Sequence, residues 1–374
     1  MPPSIAFAGA SGPAPVGGGT ERGRTATHTH SPAPDYNAER EISHPPPELA
    51  KMDPVRLAPV VTSSSIRQLQ ELASRLWPTG WHPGGLGWAL ARGQLAGEVV
   101  LATDDGVAVG WAGRGGHGPD ELLAQVDPTR RDVADVLVDW ITDGRRFSDL
   151  RIDVYDGDVT LGRSLVDAGF TPRPDLRVAS MFRPAGLIGT ELSPETRPIG
   201  RVSGVSSPGF APGYVVRAVD QDETDARVRV HRDAWRPASM PWADPETVDP
   251  DAESSFTLDA YDDVRATWLY DQDLDLVAVA HDGSFAGCCI VWFDPRTGVG
   301  EIEPMGVAPD HRRRGVAGAL CLEAAKRVEA RGGHQLFINT LTPGEYPVRD
   351  GAYLKAGFEF VERGITYVRQ SEAV

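Results

Sequence analysis

The sequence predicts an α/β protein made of two copies of one unit in tandem. A chain of 374 residues exceeds the usual size of a single domain. One order of apolar patterns, a helix and a hairpin, then strand, helix, strand and a turn closing on Gly-Phe, occurs twice along it. Between the two runs lies a Pro/Gly/Ser-rich stretch, residues 184–213, of linker composition.

Residues 1–51 are rich in Pro, Gly, Ser, Thr and His and carry almost no aliphatic clusters, so they are expected to be a disordered tail. Met52 directly precedes the first apolar segment, Val55-Arg56-Leu57. The first unit is expected over 52–183. In it Ile66, Leu69, Leu72, Ala73 and Leu76 have helical spacing, Glu98–Thr103 and Val107–Ala112 flank the turn Asp104-Asp105-Gly106, and Leu122–Val126 reads as a strand. Val133–Trp140 reads as a helix and Leu150–Val154 as a strand, before a helical turn ending in Ala168-Gly169-Phe170. The second unit is expected over 214–374: a strand at Tyr214–Arg217, a helix at Glu223–Trp235, and a hairpin from Leu276–Ala280 and Phe285–Phe293 around Asp282-Gly283. A strand and helix follow at 300–319, a strand at Gln335–Asn339, then Tyr353 and Gly357-Phe358.

The formal net charge of −16 argues against nucleic acid as a partner, because binding phosphates needs a basic surface. Residues 214–374 hold 28 Asp and Glu against 17 Lys and Arg. Asp244, Glu246, Asp249, Asp251, Glu253, Asp259, Asp262 and Asp263 run without one Lys or Arg. Such a run is either a solvated helix and loop or a negative lip that draws in a cationic ligand. Three cysteines, with Cys288 and Cys289 on opposite faces of one strand, make no disulfide framework and suit a reducing cytoplasm. Neither a signal peptide nor an apolar run of membrane-spanning length is evident, so no membrane partner is expected. No Cys/His spacing suggests a metal.

The most informative stretch is Gly300–Ala319, GEIEPMGVAPDHRRRGVAGA. A strand ends at Val307-Ala308-Pro309, three arginines follow, and Gly315-Val316-Ala317-Gly318 opens a helix. Small residues there leave N-terminal amides uncovered, where the helix dipole favours an anion, and Arg312, Arg313 and Arg314 add positive charge. The expectation is a pyrophosphate cradle. It is neither a dinucleotide fingerprint nor a P-loop. Pro304 cannot donate to a sheet ladder and belongs at an edge or bulge, which suits a strand that splays from its neighbour. As a plain strand terminator it would need no such role.

Arg312-x-x-Gly315-x-Ala317 after a Val-x-Pro strand end resembles the acyl-CoA-binding signature of the GNAT superfamily of N-acetyltransferases. Ala352-Tyr353-Leu354-Lys355-Ala356-Gly357-Phe358 resembles that family's late Leu-Tyr-x-x-x-Gly-Phe element. The tandem arrangement across about 55 to 370 looks like that of mycothiol synthases, where one half has decayed. The resemblance implies two GNAT-like domains, each a mixed, mostly antiparallel central sheet flanked by helices. It implies acetyl-CoA as cofactor, with the amides of Arg313–Gly318 on its pyrophosphate and Met305, Gly306 and Val307 along its pantetheine arm. It further implies direct attack by an amine in a ternary complex, a glutamate as base acting through water, and Tyr353 as the acid for the departing thiolate.

Glu301 and Glu303, two apart on one strand, face the same side, and paired carboxylates raise at least one pKa toward working pH. Glu301 matches the position seen in the mycothiol synthase-like group; either residue can be the base, or neither. Aligning the copies puts Leu165 where Tyr353 stands, and leaves Arg130-Arg131-Asp132-Val133 with no glycine pair and with carboxylates at Asp132 and Asp135. The first copy is therefore expected to lack the chemistry and to shape the acceptor cleft. The family's asparagine seven residues before the tyrosine is Tyr346 here, with Asp158 in the first copy. His231, Tyr261 and Tyr270 are read as packed side chains before any site role, although Trp242, Tyr261 and Tyr270 flank the acidic run. The expected function is acyl-CoA-dependent N-acetyl transfer to a small, cationic amine. An acyl-CoA sensor without turnover and a protein or peptide N-acetyltransferase are the alternatives.

Overall fold

The computed structural model describes residues 55–95, 98–115, 120–144, 149–186, 213–240, 243–244, 246–339 and 352–371. The expected tail, most of the expected linker, Trp242 and Tyr346 lie outside them. The first half runs β1 (Arg56–Pro59), α1 (Ser63–Leu76), α2 (Pro83–Ala91), β2 (Val99–Asp104), β3 (Val107–Arg114), β4 (Glu121–Val126), α3 (Arg131–Thr142), β5 (Leu150–Tyr155), α4 (Val159–Asp167) and β6 (Thr171–Pro184). The second runs β7 (Tyr214–Ala218), α5 (Thr224–Ala234), α6 (Leu258–Arg265), β8 (Asp275–Ala280), β9 (Phe285–Asp294), β10 (Val299–Val307), α7 (Val316–Ala330), β11 (Gln335–Asn339) and β12 (Glu359–Arg369).

These twelve strands form one sheet in the order β1-β2-β3-β4-β5-β12-β6-β11-β10-β9-β8-β7. Raising every strand number by six, modulo twelve, reverses the order, so the halves are related by a pseudo-twofold between β12 and β6. Each half keeps one parallel pair, β4 with β5 and β10 with β11, and pairs antiparallel elsewhere. The last strand of each half has crossed into the other: β12 pairs with β5, and β6 with β11.

Helices cover both faces because the strands alternate. On β9, Cys288 packs with Val219, Val230 and Val277 on one face, while Cys289 packs with Leu320, Cys321 and Ala324 of α7 on the other. α1 starts at a capping box between Thr62 and Ser65 and buries Leu69, Leu72 and Ala73. α2 is buried almost all round, with His82 as N-cap and Pro83 in the first turn. Its Trp88 leaves the first half's core and packs with Val228, Phe256, Tyr261 and Trp292 of the second. A side chain buried to that degree contributes about 1.5–3 kcal/mol.

Arg363 on β12 fastens the exchange. Its guanidinium lies 4.5 Å from the Trp77 ring and 4.6 Å from the Tyr155 ring, and donates to the Pro78 and Gly80 carbonyls at 2.9 and 2.8 Å. Burial lowers its pKa, against the opposing pull of Tyr155 and Glu301.

Candidate active site

The motif strand changes partners at its middle. β10 pairs with β11 only from Val299 to Glu301, and its register against β9 shifts between Ile302 and Met305. The shift brackets Glu303 and Pro304, consistent with a residue that has no N–H to give a ladder. Beyond it Met305, Gly306 and Val307 keep β9 on one side and have no strand on the other among the described residues. Backbone groups on that edge are left available to a ligand.

At the end of this strand the chain turns into α7. Gly315 is the N-cap with φ 83°, and Arg313 has φ 64°, both left-handed. The first bond into the helix from outside is Ala319 N–H to the Gly315 carbonyl, so the amides of Val316, Ala317 and Gly318 point out of the N-terminus. A Cβ on Gly318 would meet nothing within 4 Å. Arg313 and Arg314 are exposed. The hydrogen bonds of Arg312 go inward, to the carbonyls of Val307 at 3.1 Å, Ser239 at 2.5 Å and Ala234 at 3.1 Å, so this side chain braces the turn while its charge stays beside it. Open amides, clear space and cationic side chains fit a pyrophosphate.

The equivalent turn of the first half is closed by its own carboxylates. Arg130 donates to Asp104 at 2.6 Å and to Asp132 at 2.7 Å; Arg131 donates to Asp135 at 2.7 Å and to Asp167 at 2.6 Å.

The two glutamates differ sharply in company. Glu301, 1% exposed, accepts the Gly85 N–H at 2.5 Å and the Asn339 amide at 3.2 Å. The Nδ1 of His82 lies 3.2 Å from both its carboxylate and the Gly84 N–H; a ring protonated there serves the carboxylate, one protonated at Nε2 serves the helix. Glu301 is thus gripped by the N-terminus of α2, a helix of the other half. A Cβ on Gly85 would fall 2.5 Å from Glu301 Oε1, so only glycine allows this approach. Glu303 is also buried, but its Oε1 has no hydrogen-bond partner. Burial first, and Glu301 second, raise its pKa well above the usual carboxylate range.

Beside Pro304 the halves enclose a recess lined by Trp88, Arg92 and Gln94 from the first half and by His231, Trp235, Ser254 and Ser255 from the second. Its empty space is ≈ 270 Å³, a volume that includes the part open to solvent. His231 is packed as expected, its ring 4.0 Å from that of Phe256, yet Nδ1 is buried without a partner. Burial, then Arg227 and Arg92, push its pKa well below 6.5, so it stays neutral. Tyr261 is core, donating to Asp275 at 2.7 Å within the buried Arg227–Asp275 pair, and Tyr270 joins the same carboxylate at 3.2 Å.

Tyr353 is half-buried, 6.0 Å ring to ring from Phe358, and packs on the same core as Met305 and Val307. The arrangement therefore puts Glu301, Glu303 and the 305–307 edge on one strand with the cradle at its end, while Tyr353 packs on the core that Met305 and Val307 also touch. His82, Gly85, Trp88, Arg92 and Gln94 had no place in the sequence reading. Their signal was a His-Pro start before a wholly apolar segment, obscured by Gly84, Gly85 and Gly87. Among the described residues no group of His, Cys, Asp and Glu could hold a metal ion, and no helix is long and apolar enough to cross a membrane.

Residues 229–358 match the family model "Acetyltransferase (GNAT) family". No curated protein matches the chain in sequence. Among solved structures, a GCN5-related N-acetyltransferase from Sphaerobacter thermophilus is similar at 19% identity, over 86% of this chain and 97% of that one, with TM-score 0.45. A tandem GNAT protein from the clavulanic acid biosynthesis pathway aligns at 12% identity over 86% and 100%, TM-score 0.45. A GNAT-family acetyltransferase from Colwellia psychrerythraea aligns at 13% over 84% and 100%, TM-score 0.48. The stretch that matches the family model, residues 229–358, holds both the splayed strand β10 and the Arg312–Gly318 turn at its end.

Proposed function

We propose that the chain transfers the acetyl group of acetyl-CoA to the amine of a small acceptor, within units at 52–183 and 214–374 of which only the second is catalytic. When bound, acetyl-CoA supplies a thioester carbonyl open to direct attack and a thiolate that needs a proton. The amides of Val316, Ala317 and Gly318, with Arg313 and Arg314, hold the pyrophosphate; Met305, Gly306 and Val307 offer backbone groups to the pantetheine arm. Glu303 takes the ammonium proton, directly or through water, because its raised pKa makes it a stronger base than an ordinary carboxylate. Glu301 holds α2 in place and adds the negative charge that raises Glu303 further. Tyr353 hands its proton to the thiolate as the N–C bond forms and the C–S bond breaks.

The observation that carries this reading is Glu303, a buried carboxyl whose Oε1 has no partner, one residue before the Pro304 that lines a recess where the two halves meet. Release of CoA thiol from acetyl-CoA, followed over a panel of small amines with mass detection of the acetylated product, tests it. Amine-dependent release that disappears in Glu303→Gln is the expected result. CoA binding with no turnover on any amine would favour an acyl-CoA sensor instead.

A further inference from the structure

The recess beside Pro304 has a side rich in donors. Arg92, just past the C-terminus of α2, belongs to it. Its guanidinium lies over the Phe256 ring at 4.8 Å and the Trp88 ring at 5.8 Å, and Nη2 donates to Ser255 Oγ at 3.2 Å. Its Nε is buried without a partner. Among the described residues no carboxylate forms an ion pair with it; Asp263 acts only from a distance, and burial lowers its pKa. The Nε1 atoms of Trp88 and Trp235 are buried without acceptors as well, Trp88 being only 2% exposed. Three kinds of donor, one of them cationic, thus line a recess with no carboxylate among its own side chains. Buried donors left unpaired are costly, and an Arg fork is the group that matches a carboxylate. At the opposite side the recess is lined by Pro304 of β10, and Glu303, the residue before it and not itself part of the lining, keeps an oxygen with no partner.

We infer that the acceptor is a zwitterion, an amino-acid-type molecule whose carboxylate is held by Arg92 with the Trp88 and Trp235 indole N–H groups, and whose amine is delivered to Glu303. The assignment rests on the acetyltransferase reading above and refines its acceptor. A cation alone would leave the Arg92 side unsatisfied and repelled. His231, neutral in this setting, adds no second charge. Because Arg92, Trp88 and Gln94 come from the first half, that half selects the acceptor for chemistry done in the second.

The test uses the full chain and matched pairs: β-alanine with ethylamine, phenylalanine with phenethylamine, lysine with cadaverine. CoA release from acetyl-CoA gives kcat/KM for each, and calorimetry in the presence of CoA reads binding without turnover. At least one carboxylated member should be preferred by about 10-fold or more, and Arg92→Gln should remove that preference through KM, with Arg92→Lys restoring part of it. Thermal melting checks that both variants fold. Equal or better use of the decarboxylated amines, a preference that survives Arg92→Gln, or calorimetry in which no carboxylated member binds more tightly than its amine overturns the zwitterion. Failure of the transferase reading looks different: carboxylated members bind tightly and lose affinity in Arg92→Gln, while no pair releases CoA.

Discussion

Glu301 and Glu303 sit two residues apart on one strand, yet the groups that reach them give them unlike chemistry. The Gly85 N–H and the Asn339 amide both donate to Glu301, whereas Glu303 keeps a bare oxygen in a desolvated place. Glu303→Gln should lower kcat by about 10²–10⁴-fold, and Tyr353→Phe should do the same with little change in cofactor affinity. The glutamine variant should also be more stable than the parent, in a pH-dependent way. A carboxyl whose folded pKa is raised contributes stability that is present below its ordinary 4.5 and lost as pH rises through the folded value. The gain in Tm of Glu303→Gln should therefore be near zero below pH 4.5 and grow upward. A gain that shrinks with rising pH would mean that Glu303 is ionised and paired in the fold.

At the scale of elements, the N-termini of α2 and α7 are used differently. The N-terminus of α2 is occupied by the protein's own Glu301, and that of α7 is left open. Gly315→Asp should abolish CoA binding by calorimetry, since Gly315 has φ 83° and the new carboxylate would sit at the anion site. Unchanged affinity would remove the cradle. Gly85→Ala, by contrast, pushes a methyl toward Glu301 from 2.5 Å and should cost about 1–3 kcal/mol of stability while leaving CoA affinity intact. Denaturant unfolding of that variant reads the loss. α7 was legible in the sequence because its arginines and glycines stand in one run; α2 was not, because three glycines in nine residues read as a loop until tertiary packing buries them.

For the whole molecule, the asymmetry of the halves and the exchange of their last strands set the expectations. Arg130 and Arg131 are neutralised by four aspartates, so Arg130→Ala and Arg131→Ala should leave CoA affinity unchanged, and titration should saturate at one CoA per chain. A second equivalent of bound CoA would overturn this. Since β12 fills the place beside β5 and β6 the place beside β11, a fragment of residues 55–186 should fail to unfold cooperatively alone. Together with 213–374 it should recover a cooperative transition, measured by circular dichroism. Two fragments that each melt cooperatively would show that the exchange is dispensable.

The sequence by itself determined the α/β class, the duplication, the cradle, and the strand bearing both glutamates, because each of these is written in local period, glycine placement or charge. It also set the two halves apart through the missing glycine pair at Arg130–Val133. It did not reveal β6 or β12, the two exchanged strands. Pro172 and Pro174 disguise β6, and Glu359–Arg369 is half-exposed with no clean alternation. Strand exchange leaves the order of elements along the chain untouched, so no pattern in that order can report it. Only the tertiary structure decided which glutamate is gripped and which is free, since the gripping amide comes from Gly85, 216 residues away. The recess beside Pro304 is of the same kind: Arg92 and Trp235 come to line one space only once the two halves share a sheet.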